Sequence, residues 1–181
     1  MAASVCAAAT FTPCWPTSPK LAGVPTARRT RTIDAPLQEL WEVVRDPHHL
    51  PRWWPRVNRV EGVEGDAFTE VMTTSKGRVV RADFNVVLAD EAAGTLRWAQ
   101  SVQGTPFARV LSSAETEVRL ARAEGSDGAP SLSRASPATE VTIELRQVLT
   151  GFFARFGGFL VRRAAAETID QALDGLERIS A

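Results

Sequence analysis

Tyrosine is absent from this sequence, and cysteine, histidine, methionine and lysine are each present only twice. Cys6 and Cys14 both lie in the first 24 residues, so the rest of the chain has no disulfide and no thiol chemistry. His48 and His49 are neighbours in the chain, which is no metal-ligand constellation. No metal and no cofactor is expected. No apolar run approaches the ~20 residues that a membrane-spanning helix needs. Charge of one sign is also missing: 21 basic residues balance 21 acidic ones, and the pI is near 6.7. A nucleic-acid partner would need a basic surface, so none is expected. The basic residues are nearly all arginine, with Lys20 and Lys76 the exceptions.

What is present is one domain behind a leader. Residues 1–24 mix Ala, Ser, Thr and Pro without one acidic residue and show no periodicity. They read as a disordered leader on a cytoplasmic protein. The alternative is an organelle transit peptide, which the acid-poor, Ala/Ser-rich composition also fits. The domain, 25–181, is long enough to bury a real core.

Residues 25–33 suit a first strand. Leu37, Leu40, Trp41 and Val44 then recur at helical spacing, which predicts an amphipathic helix over 35–45. Asp46-Pro47 ends it, and a second short helix or turn covers 48–52. From Val57 the period falls to two. Strands are expected at 57–63, 67–74, 78–89, 95–103, 107–122 (one long or broken strand, after a kink or bulge at 104–106) and 139–149, joined mostly by short turns. Residues 123–138 are Gly/Ser/Ala/Pro-rich and read as a flexible loop.

Residues 150–180 form the one segment long enough for a major helix. Phe152, Phe156, Phe159 and Leu160 share one face, and Ala165, Ile169, Ala172, Leu173 and Leu176 another. Gly157 and Gly158 sit where the stripes change, so a bend is expected near Gly157. Short strand-to-strand links imply an antiparallel meander, and one amphipathic helix must cover its inner face. The fold class is therefore α+β: a curved antiparallel sheet of about seven strands wrapped around a long C-terminal helix, with two short helices after the first strand.

Such an architecture leaves space between sheet and helix. Alternation puts Phe84 on the inner face with Val80, Ala82, Val86 and Leu88. Trp98 and Gln100 face the same way from the next strand, and Met72 can join them. The ordinary role of such residues is core filling; the sharper one is a cavity wall. Gln100, an amide among apolar side chains, suits fixing a ligand oxygen, and burial against backbone suits it equally. On the helix, Gly157 leaves room against Phe152, Phe156 and Phe159, either for a close strand contact or for a ligand. Arg81 and Asp83 alternate outward, unless the register slips by one residue.

The stretch IDAPLQELWEVVRD, then HLPRWWPRVNRVEG, then the strand run and FGGFLVRR in the closing helix resemble the START-like, helix-grip (SRPBCC) superfamily, in its polyketide cyclase/dehydrase-type branch. The resemblance covers residues 25–180. It implies a hydrophobic small-molecule ligand, such as a lipid, quinone or polyketide, held between sheet and final helix. It also places Trp53 and Trp54 where short helices cap that space, so that one packs and the other lines or gates it. Three activities stay open: a carrier or sensor of such a ligand, a polyketide cyclase/dehydrase-type enzyme, and a protein-interaction module without a ligand. An enzyme needs an acid–base group facing a reactive carbonyl. Arg81, Asp83, Gln100 and His48 are the candidates, and none stands out. The carrier or sensor reading is preferred. Nothing in the sequence bears on oligomeric state.

Overall fold

A computed structural model describes residues 26–74, 77–123, 137–151 and 158–180. The chain runs β1 (Thr26–Ile33), α1 (Leu37–Arg45), a 3-10 turn (Pro47–His49), α2 (Leu50–Trp53), β2 (Val57–Glu64), β3 (Ala67–Thr73), β4 (Val79–Asp90) and β5 (Thr95–Gln100). A second 3-10 turn (Pro106–Arg109) leads to β6 (Leu111–Arg122), β7 (Thr139–Leu149) and the long helix α3 (Gly158–Ser180). The seven strands form one antiparallel sheet in the order β1-β7-β6-β5-β4-β3-β2. Irregularities in the β2–β3, β4–β5 and β6–β7 ladders supply the local kinks that let a sheet curve. This is the helix-grip fold.

Alternation decides which side chains enter the core. On β7, Val141, Ile143, Leu145 and Leu149 are buried; on β5, Leu96 and Trp98. The apolar stripe of α3 answers them: Ile169, Ala172, Leu173 and Leu176 are at most 1% exposed. Leu40, Trp41 and Val44 of α1 close the same core. Three segments differ from the sequence expectation, the first being 101–103, expected as strand although β5 ends at Gln100 and the Thr105 N–H and hydroxyl fold back to donate to the Val102 carbonyl. Residues 107–110 were expected as strand, but Pro106 fixes a backbone angle that suits the first turn of a 3-10 helix, and β6 starts only at Leu111. Leu88 was expected inward, but the β4–β5 register shifts between Val86 and Leu88 and leaves Leu88 38% exposed. The expected bend at Gly157, the loop over 124–136 and the leader fall outside the described residues.

Charges hold the rim of α3 to β1. Arg31 pairs with Asp174 and, at 3.2 Å, with Glu177, and Arg29 lies 3.4 Å from Asp170. Asp174 thus turns to the sheet rather than along its own helix to Arg178, whose guanidinium donates to the Arg52 carbonyl at 3.1 Å. Arg31 is half-buried, but Asp174 and Glu177 are well exposed to water, which screens the pairs. Arg31→Ala is therefore expected to cost no more than about 1 kcal/mol in a denaturant titration. A loss of several kcal/mol would mean that the pair acts as a buried one.

Candidate functional site

The concave face of the sheet and α3 border a partly open cavity of about 370 Å3. Its walls are built by strand alternation. Met72 on β3, Phe84 on β4, Trp98 and Gln100 on β5, and Ala114 and Thr116 on β6 all point to the same side. Leu145, Gln147 and Leu149 on β7 complete the sheet side, and Val161, Ala164, Ala165 and Thr168 form the helix side. Trp54, just after α2, closes one end.

The aromatic pairing of that end is specific. Trp53 and Trp54 meet edge to face, with ring centroids 5.3 Å apart and planes at 85°. Trp54 then meets Trp98 at 5.7 Å and 73°. Trp53 is 2% exposed and packs in the core, whereas Trp54 is half-buried and lines the cavity. Phe68 and Phe84 stack at 5.4 Å, which holds the Phe84 ring against β3.

Of the residues singled out from the sequence, the structure brings together Trp54, Met72, Phe84, Trp98 and Gln100. It sets Trp53 behind them. Phe159 lies at the start of α3 and is 65% exposed, away from the cavity. Phe152, Phe156 and Gly157 lie outside the described residues. Apart from Gln100, the acid–base candidates are elsewhere: Arg81 pairs with Glu61, and Asp83 accepts the Thr69 hydroxyl at 2.6 Å, both on the outer face. His48 is exposed on the 3-10 turn, with its backbone N–H donating to Asp46. Among the described residues, no three His, Cys, Asp or Glu side chains gather as a metal site would need.

One residue that the sequence reading passed over stands in the cavity wall. Glu70 lies on β3 between Phe68 and Met72 and is 2% exposed. Its Oε1 is buried without a hydrogen-bond partner. Burial alone pushes its carboxyl from the ordinary 4.5 up to about 8. The contrast with Glu117 is direct. Glu117 is also buried, but it faces the other side of the sheet, where Arg97 reaches it at 3.0 Å and Arg119 and Arg146 approach too. Among the described residues, no Arg, Lys or His lines the cavity beside Glu70. The signal for Glu70 was strand parity: Phe68, Glu70 and Met72 must share one face.

The profile of the family described as "Polyketide cyclase / dehydrase and lipid transport" matches residues 25–180. The chain belongs to this family. Solved structures agree on the fold of the family member described here. A START superfamily protein from Mycobacterium smegmatis superposes with TM-score 0.62 at 14% identity, covering 86% of this chain and 96% of that one. A conserved protein from Geobacillus kaustophilus gives 0.63 at 13% identity, covering 84% and 93%. The di-domain ARO/CYC StfQ from the steffimycin biosynthetic pathway gives 0.64 at 10% identity, covering 87% of this chain but 51% of that one. No curated protein sequence matches the chain.

Proposed function

We propose that this chain binds one hydrophobic small molecule between sheet and α3, as a carrier or sensor. The observation that carries this reading is the cavity itself: about 370 Å3, walled by Trp54, Phe84, Trp98 and aliphatic side chains, with a few polar groups among them. That size lies in the lower part of the range for small-molecule sites, about 300–1,000 Å3. A filled core, as an interaction module would have, offers no such space. Family membership supports the same reading, since lipid transport is part of the family's description. Of the four sequence-based candidates of the cyclase/dehydrase alternative, Arg81 and Asp83 are committed to the outer face and His48 is exposed, which leaves Gln100, a neutral amide, in the cavity wall.

The test uses N-phenyl-1-naphthylamine, an uncharged dye that brightens in apolar surroundings. Its fluorescence is expected to rise with a dissociation constant in the micromolar range. Ala114, a small residue in the wall, gives the control. Ala114→Phe should fill the cavity and weaken binding by about tenfold or more, the effect of ~1.4 kcal/mol, with the circular dichroism unchanged. Equal affinity of wild type and Ala114→Phe would place the dye elsewhere and remove the support for this reading.

A further inference from the structure

We propose that Glu70 is the recognition group of the cavity: its carboxylic acid donates a hydrogen bond to the carbonyl oxygen of an uncharged, otherwise apolar ligand. This rests on the ligand-binding reading above and narrows the ligand class.

Three observations carry it. Strand parity aims Glu70 inward, between the stacked Phe68 ring and Met72, and it lines the same cavity as Trp54, Trp98 and Gln100. Its Oε1 is buried and has no partner, a state that polar atoms in folded proteins rarely keep. The other polar wall groups among the described residues, Gln100, Thr116, Gln147 and Thr168, are all neutral, so Glu70 is the single titratable side chain that the described residues turn to the space.

The chemistry follows. A carboxylate there would lie in apolar surroundings with no cation, which disfavours the charged form. Burial therefore holds the proton on Glu70 to about pH 8, and at neutral pH the group is a donor. A carbonyl is an acceptor only and matches it. A pure hydrocarbon leaves the buried donor unmet. An anionic ligand, a fatty-acid carboxylate for example, meets no positive charge among the described wall residues and is repelled once Glu70 ionises. An amine would have to form an isolated buried ion pair, which needs further hydrogen bonds to be favourable.

A matched set of bicyclic probes separates these cases: naphthalene, 2-acetylnaphthalene, 2-naphthoate and 2-naphthylmethylamine, each measured by displacement of N-phenyl-1-naphthylamine from the full chain. At about pH 6.5 the ketone should bind about tenfold more tightly than the hydrocarbon, the effect of one ordinary hydrogen bond. At about pH 9.5, above the Glu70 titration, that advantage should vanish and 2-naphthoate should not bind. Glu70→Leu should keep hydrocarbon binding and lose the ketone preference at both pH values. Glu70→Gln, whose amide still donates, should keep part of the preference and lose its pH dependence. Equal binding of ketone and hydrocarbon, a preference that survives Glu70→Leu, or tighter binding of the amine would each overturn the assignment while leaving the cavity a ligand site. If none of the probes displaces the dye and the dye itself does not bind, the ligand-binding reading fails with it.

Discussion

Gly175→Leu is expected to cost about 3 kcal/mol of stability, the upper part of the range for forcing extra atoms into a packed interior. Gly175 sits where α3 crosses α2. A Cβ there would stand 2.4 Å from the Trp53 carbonyl oxygen, 2.7 Å from its Cα and 2.9 Å from its carbonyl carbon. Those are backbone atoms, so no side chain can swing aside. Trp53 cannot retreat either, because its ring is 2% exposed and wedged against Trp54. One opposing effect must be weighed: glycine inside a helix is worse than alanine by about 1 kcal/mol. Gly175→Ala should therefore lose less than Gly175→Leu, but still lose, because the first carbon already collides. In thermal unfolding the leucine variant should melt about 6–12 °C lower, at about 2–4 °C per kcal/mol for a domain of this size. Gln171, four residues earlier and exposed, provides the comparison, and Gln171→Ala should be near neutral. A Gly175→Leu protein that melts with the wild type would show that α2 and α3 are not held at this distance. The ligand site would feel the same change, since Trp54 follows Trp53 into the cavity wall.

The second large effect is alkaline destabilisation, and its removal by Glu70→Gln. The unfolded chain releases the Glu70 proton near 4.5, whereas the folded chain keeps it to about 8. Between those values the folded state binds more protons, so stability falls as pH rises. The contribution is fully present below about pH 4.5, declines through the interval and levels off above about pH 8. Its full size is on the order of 5 kcal/mol, at about 1.4 kcal/mol per unit of pKa difference. Other groups also titrate over this range, so the informative quantity is the difference between two proteins. Glu70→Gln should match the wild type near pH 4.5 and exceed it by several kcal/mol above pH 8, as urea unfolding at both pH values would read. The same difference at both ends would show that Glu70 keeps its ordinary pKa, and that water or a partner reaches it.

Much of this architecture was legible in the residues themselves. Period-two alternation located six strands after α2 and aimed Met72, Phe84, Trp98 and Gln100 at one space. Period-3.6 spacing found the buried stripe of α3. The failures have local causes. Glu70 was missed because a charged residue in an alternating strand ordinarily marks the wet face, and polarity was allowed to outweigh parity. Leu88 was misassigned because a bulge shifts parity, and nothing in LADEAAG announces one. Residues 107–110 read as strand because Phe107 and Val110 are apolar, although Gly104 and Pro106 are stronger punctuation. Trp53 and Trp54 could not be told apart by composition. Only the packing of α2 on α3 decides which ring enters the core.

The strand order carries a consequence for how this chain is made. β1 hydrogen-bonds only to β7, in a ladder that sets Thr26 against Arg146. Every other neighbouring pair in the sheet, β2 through β7, joins strands that follow one another in sequence. On the ribosome those hairpins can close as they emerge, within a short stretch of chain. The first strand synthesised has no partner until residues 139–149 have cleared the exit tunnel. α3, which seats on β1, comes later still. Such distant pairing is slow because a long loop must close before it yields any contact. The first of the seven strands in chain order is thus among the last to find its place in the sheet.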